Sequence, residues 1–312
     1  MLAYRPDGQT ELVWVDRSGR SLGSIAEPGH YHNPDLSPDE QRVAVGRDDR
    51  ASGQSDIWVI DVNRRLPSKL TFGTASARVP LWSRDGSRLV YRSGATLVVK
   101  ARDGSAAEEQ LADRLSNFEI PLDWSPDGRM LLYSSLNSID TDAWLLPLDG
   151  DRKPVPLPAT GSRWGVQARI SPDGRWLAYA SNESGRYEVY VRRYPSGDGK
   201  WLISQNGGSE PSWRRDGKEL YYLAGDASLM AVAVTPKPTF EPAAPQRLFA
   251  TKLSTLVNTS ITRNQYVASG DGRRFLVNQP VGSPSSIVVV VDWPALFESA
   301  HRSVQRGTNA SW

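Results

Sequence analysis

The chain has 312 residues, with 37 Lys and Arg against 35 Asp and Glu, a formal charge of +2. So even a balance, with no basic cluster, leaves no electrostatic footprint for nucleic acid or an anionic membrane. The absence of cysteine excludes disulfides and thiol chemistry, and no apolar run approaches the roughly 18 residues a spanning helix needs.

The first residues, Met1 to Gly8, lack the basic head and apolar middle of a signal peptide. They read as the middle of a repeat unit, as if the chain were cut from something longer. Leu2 to Tyr4 is predicted as a short strand, Glu11 to Asp16 as a second and Ser21 to Ile25 as a third, a unit without its first strand. A full unit follows: Asn33 to Ser37, Gln41 to Gly46, Ser55 to Asp61 and Lys69 to Phe72. The next runs through Val79 to Trp82, Leu89 to Tyr91, Thr96 to Val99 and Glu109 to Leu111. Then come Leu122 to Trp124, Leu131 to Tyr133, Ala143 to Leu146 and Val155 to Leu157. The clearest unit has Gln167 to Ile170, Trp176 to Ala180, Tyr187 to Val191 and Lys200 to Ser204. Glu210 to Trp213, Glu219 to Leu223, Leu229 to Val234 and Arg247 to Phe249 make another, with a proline-rich loop inside it. The last has Tyr266 to Ala268, Phe275 to Val277 and the β-branched run Ile287 to Val291. That run reads as a strand covered on both faces between neighbouring units, with an exposed strand awaiting a partner domain as the alternative. Nothing shows helical periodicity.

One turn joins the first two strands of each unit. It is written Ser171-Pro172-Asp173-Gly174 in its fullest form, and returns at Ser37-Pro38-Asp39-Glu40, Ser83-Arg84-Asp85-Gly86, Ser125-Pro126-Asp127-Gly128, Arg214-Arg215-Asp216-Gly217 and Ser269-Gly270-Asp271-Gly272. Proline presets φ, aspartate bonds forward to the backbone, and glycine accepts positive φ. Tyr91, Tyr133, Tyr179 and Tyr222 follow at a fixed offset. A period of about 40–45 residues with four strands each is the signature of a propeller blade. The expected fold is therefore all-β, a single propeller of four-stranded antiparallel blades over 1–294 with a polar, fraying tail over 295–312. Seven blades, two of them incomplete at the ends, is the favoured count; six, with the terminal units merged into one closing blade, is the alternative.

The Ser-Pro-Asp-Gly-Arg pattern with its following Tyr resembles the repeat of TolB-like, WD-repeat-like propellers. Leu12 to Gly19, Asp56 to Val59, Ser181 to Arg186 and Phe275 to Asn278 are similar to the C-terminal propeller region of bacterial, eukaryotic-like serine/threonine kinases. The resemblance implies a periplasmic or extracytoplasmic sensing or scaffold module with protein partners. The chain has no Gly-rich nucleotide loop, no His-Arg-Asp and no Asp-Phe-Gly, so any kinase activity would belong to a parent domain.

Catalytic and metal chemistry find little support. The turn aspartates Asp39, Asp85, Asp127, Asp173, Asp216 and Asp271 belong to separate units and are expected to bond their own turns. His30 and His32 lack a third ligand, His301 lies in the tail, and there is no Gly-x-Ser-x-Gly elbow. No cofactor or metal is expected. The working surface is expected where the loops entering the inner strands gather, at Tyr31, His32, Arg78, Phe118, Glu119, Arg163, Trp164 and Glu210. Aromatics beside Arg and Glu suit a protein or peptide edge, with a small ligand as a further option. The alternative is a hydrolase or lyase using Glu119 and Glu210.

Overall fold

The computed structural model describes residues 2–4, 8–111, 119–136, 141–157, 167–236, 239–253, 264–282 and 288–290. The chain begins with β1 (Leu2–Tyr4), β2 (Thr10–Asp16) and β3 (Ser21–Ser24). The first blade is β4 (Tyr31–Leu36), β5 (Arg42–Asp48), β6 (Ser55–Asp61) and β7 (Leu66–Lys69). The second is β8 (Ala77–Trp82), β9 (Arg88–Ser93), β10 (Thr96–Ala101) and β11 (Glu109–Gln110). The third is β12 (Glu119–Trp124), β13 (Met130–Leu136), β14 (Thr141–Pro147) and β15 (Val155–Pro156). The fourth is β16 (Ala168–Ile170), β17 (Trp176–Ser181), β18 (Glu188–Arg193) and β19 (Trp201–Leu202). In the fifth, β20 (Gly208–Trp213), β21 (Glu219–Ala224) and β22 (Ser228–Pro236) precede β23 (Phe240–Pro242) and β24 (Gln246–Ala250), which share the outer edge of β22. Finally come β25 (Tyr266–Ala268), β26 (Arg274–Pro280) and β27 (Val288–Val290). Among the described residues there is no helix.

The pairing corrects the blade count from seven to six. β2 pairs with β26 along its full length, Val13 opposite Val277 and Trp14 opposite Leu276. The sixth blade therefore runs β25-β26-β2-β3, two strands from each end of the chain. The two incomplete terminal units of the sequence are halves of one sheet. The inner strands touch in a closed cycle, β4 to β8, β12, β16, β20, β25 and back to β4. The valine run is also corrected. Val288–Val290 is no inter-blade strand but pairs with Leu2–Tyr4 in a separate two-stranded ribbon. Ile287, Val291 and the tail over 295–312 lie outside the described residues.

The core lies in the seams between blades. Trp82, Trp124, Tyr91, Tyr133, Tyr179 and Tyr222 are all buried. Leu81, Val90 and Val99 of the second blade pack with Trp124, Leu131 and Tyr133 of the third. Closing the ring adds a polar seam: Arg17, between β2 and β3, makes two 3.0 Å bonds to the Glu219 carboxylate of the fifth blade and one of 2.9 Å to the Gly272 carbonyl.

The repeated turns form as their chemistry dictates. In five of them the serine hydroxyl donates to the aspartate, at 2.5–2.7 Å. The same carboxylates accept backbone N–H groups two residues on, as from Gln41, Ser87 and Arg129. In the fifth blade Arg214 replaces serine and grips Asp216 with its guanidinium. The six aspartates are structural and stand on six different blades.

Inner strands are not regular. Ladder register shifts between His32 and Asp35, Arg78 and Leu81, Pro121 and Asp123, and Ser209 and Ser212. In three of these blades a residue before proline, Asn33, Val79 or Glu210, takes a left-handed φ of 50–55°. A bulge of this kind re-aims the side chains that follow it.

Candidate functional site

The channel wall is built from one position per blade, two residues before the turn: Asp35, Leu81, Asp123, Arg169, Ser212 and Val267. An inner strand has an unpaired edge, and its N–H groups need acceptors. Two of the wall carboxylates supply them across a seam. Asp35 Oδ2 accepts the Trp82 N–H at 2.7 Å, and Asp123 Oδ2 accepts the Ile170 N–H at 2.8 Å. Asp123 Oδ1 takes the Trp124 N–H and Arg84 Nη2, both at 2.9 Å.

Arg169, three blades on from Asp35, spans the axis. Its Nη1 donates to the Leu122 and Ala168 carbonyls and its Nη2 to Asn264 Oδ1 at 2.9 Å in the sixth blade. Asn264 N–H in turn donates to Asn33 Oδ1 at 2.8 Å. Glu210 is held on every side. Its carboxylate accepts the Gln265 backbone at 2.6 Å and side-chain amide at 3.0 Å, its N–H donates to Gln167, and its carbonyl accepts the Tyr266 hydroxyl.

These groups close the floor of a cavity of about 540 Å³. Its rim is drawn from all six turns: Pro38, Arg84, Pro126, Pro172, Arg215 and Gly270. The cavity is thus a cup opening on the turn face of the disc. Arg84 and Arg215 are half-exposed at that rim, tied to Asp123 and Glu40 respectively. Deep in the cup, burial pushes the Asp35 carboxyl up to about 6. The Trp82 N–H, Arg169 and Arg84 oppose that rise, and Asp123 adds to it.

Of the residues expected from sequence, Glu210 lines this cup. Tyr31 is buried in the seam with Leu12, Trp14 and Val45, its hydroxyl donating to the Glu27 carbonyl at 3.0 Å. Glu119 is buried at the start of β12. His32 and Arg78 are brought together by Asp48, which sequence reasoning missed. His32 Nε2 lies 3.3 Å from Asp48 Oδ1 and 2.8 Å from Ser55 Oγ, and Arg78 Nη2 donates to the same Asp48 oxygen at 3.0 Å. Burial works to raise the Asp48 carboxyl, but His32, Arg78 and Ser55 outweigh it and hold it at about 2. Asn33 Nδ2 lies 3.2 Å from His32 Nδ1. Phe118, Arg163 and Trp164 lie outside the described residues.

Asp35, Asp123 and Arg169 were also missed. The signal was present: Asp123 directly precedes Trp124, Asp35 and Arg169 hold the same position in their own blades, and a polar residue recurs there. Among the described residues no group of three or more His, Cys, Asp or Glu could hold a metal ion.

No protein-family profile matches the chain, and no curated protein matches it by sequence. Solved structures do match. A protein assigned as TolB from Agrobacterium tumefaciens superposes with a TM-score of 0.66 at 16% identity, covering 89% of this chain and 100% of that one. TolB from Acinetobacter baumannii gives 0.56 at 14%, over 78% of this chain and 68% of that one. A puromycin-hydrolysing peptidase from Mycobacterium tuberculosis gives 0.59 at 17%, over 80% of this chain but 43% of the peptidase. At such identities the likeness carries architecture alone, and in architecture the chain is a TolB-like β-propeller.

Proposed function

We propose that this propeller is a non-catalytic binding module that receives a protein or peptide partner at the cup on its turn face. The observation that carries the reading is the state of the channel acids. The carboxylate-pair hydrolase alternative needs two carboxyl groups free to exchange protons with a substrate. Asp123 and Glu210 have their oxygens committed to N–H donors, which leaves Asp35 without an acid partner in the cup. What remains is a preformed recess on a rigid scaffold, rimmed by prolines and two arginines, of the kind that holds an inserted side chain or loop. The resemblance of the Ser-Pro-Asp-Gly-Arg repeats to those of TolB-like propellers implies a protein partner. The likeness to the peptidase does not carry activity over, since this chain corresponds to less than half of that enzyme. By the resemblance read in its repeats, the chain serves as an extracytoplasmic sensing or scaffold part of a larger signalling or envelope protein.

The test is an activity screen on generic ester and glycoside substrates, run on the full chain and on a Glu119→Gln/Glu210→Gln variant. Neither is expected to turn over substrate above buffer. Turnover by the parent chain that disappears in the double variant would reject the binding-module reading.

A further inference from the structure

One strong acceptor in the cup, Asp35 Oδ1, meets no donor among the described residues. Asp35 Oδ2 takes the Trp82 N–H. The neighbouring charges are engaged elsewhere. Arg169 is turned to two carbonyls and Asn264, and Arg84 to Asp123 and the Trp124 carbonyl. The spare hydrogen-bonding capacity is therefore for a donor. Burial without a full ion pair holds the Asp35 carboxyl up at about 6, against the pull of Arg169 and Arg84 and with the push of Asp123. A positive group brought beside it would favour the ionised form. Leu81, Ile170, Pro211, Val267 and Ala268 also line the cup and offer apolar surface to methylenes. The volume of about 540 Å³ lies within the usual range for small-ligand sites.

We propose that the cup binds an aliphatic ammonium group, carried on a lysine side chain or a free alkylamine, through the Asp35 carboxylate. The lysine source rests on the reading of the cup as the partner-binding mouth; the free-amine source stands without it.

The test is calorimetric titration of the full chain with n-butylamine and with the blocked tripeptide acetyl-Gly-Lys-Gly-amide, using n-butanol and the norleucine tripeptide as neutral controls. Both amines are expected to bind and both controls to fail. Asp35→Asn keeps an oxygen for the Trp82 N–H and removes the charge, and should weaken amine binding at least about tenfold, or 1.4 kcal/mol. Tighter binding of the tripeptide assigns a peptide source, and tighter binding of n-butylamine a free amine. A second measurement needs no variant. Near pH 6, amine binding should release protons as Asp35 ionises, seen as a dependence of the heat on buffer ionisation enthalpy that is lost at pH 8. Absence of amine binding, equal binding by Asp35→Asn, or binding without proton release overturns the proposal. A partner protein that occupies the cup while neither amine binds would overturn it too, yet leave the binding-module reading standing.

Discussion

Asp35 and Asp85 both flank the inner hairpin of a blade, yet their protons respond to folding in opposite directions. The Ser83 hydroxyl, joined by the Ser87 backbone and hydroxyl, holds Asp85 down at about 2. The corresponding turn aspartates are lowered as well, through Ser37 at Asp39, Ser125 at Asp127 and Arg214 at Asp216. A carboxyl whose folded value is depressed contributes stability that is present above its unfolded value near 4 and is lost as pH falls toward 2. Asp35 is raised to about 6 by burial, so the fold loses stability as pH rises from about 4 to about 6 and does not regain it. Asp35→Asn should therefore raise Tm at pH 8, by roughly 1–3 kcal/mol of stability, with the gain vanishing near pH 4. Thermal unfolding followed by circular dichroism across that range checks this, and an unchanged Tm at pH 8 would reject the account. A second residue is tested by packing. A Cβ at Gly46 would lie 1.9 Å from the His32 ring, so Gly46→Ala should cost about 1–3 kcal/mol in urea denaturation and break the His32–Ser55 hydrogen bond. The turn aspartates were legible because their partners are their chain neighbours. Asp35 was not, because its donor is 47 residues further along.

At the scale of elements, β2 decides whether the disc closes. Leu12, Val13, Trp14 and Val15 are all buried, and at about 1.5–3 kcal/mol each their burial is comparable with the whole stability of a domain. A chain lacking residues 1–24 should lose cooperative unfolding and bind a hydrophobic dye through the bared Leu276 and Val277. A synthetic peptide covering 8–25 should restore the transition. A native-like melting curve for the truncated chain would show that the ring closes without this strand. The strands themselves were readable from alternation and turns. Their count as blades was not, because an end unit with three strands and another lacking its last look like two blades until Trp14 is seen opposite Leu276. Likewise Ile287 to Val291 announced a strand, but its apolar run carries no information about its partner. The partner, Leu2–Tyr4, is at the other end of the chain.

At the scale of the molecule, the closed ring makes each seam depend on all the others. An open repeat array can lose stability piecemeal, whereas here the last blade is hydrogen-bonded to both ends of the chain. Trp124→Ala, at a seam where the side chain is 1% exposed, should cost about 3–5 kcal/mol. Calorimetry should show one transition moved down in temperature; a split into two would mean the blades melt independently. The period in the sequence carried the architecture, while the location of the cup emerged only when the six turns were placed around one axis. One feature of the closing blade bears on how the disc is presented. The β2–β26 ladder runs from Asp16 and Arg274 at the turn face to Thr10 and Pro280 at the opposite one, so the chain enters β2 and leaves β26 at that far end. A tether joined through Thr10 or Pro280 would meet the propeller on the face opposite the Asp35 recess.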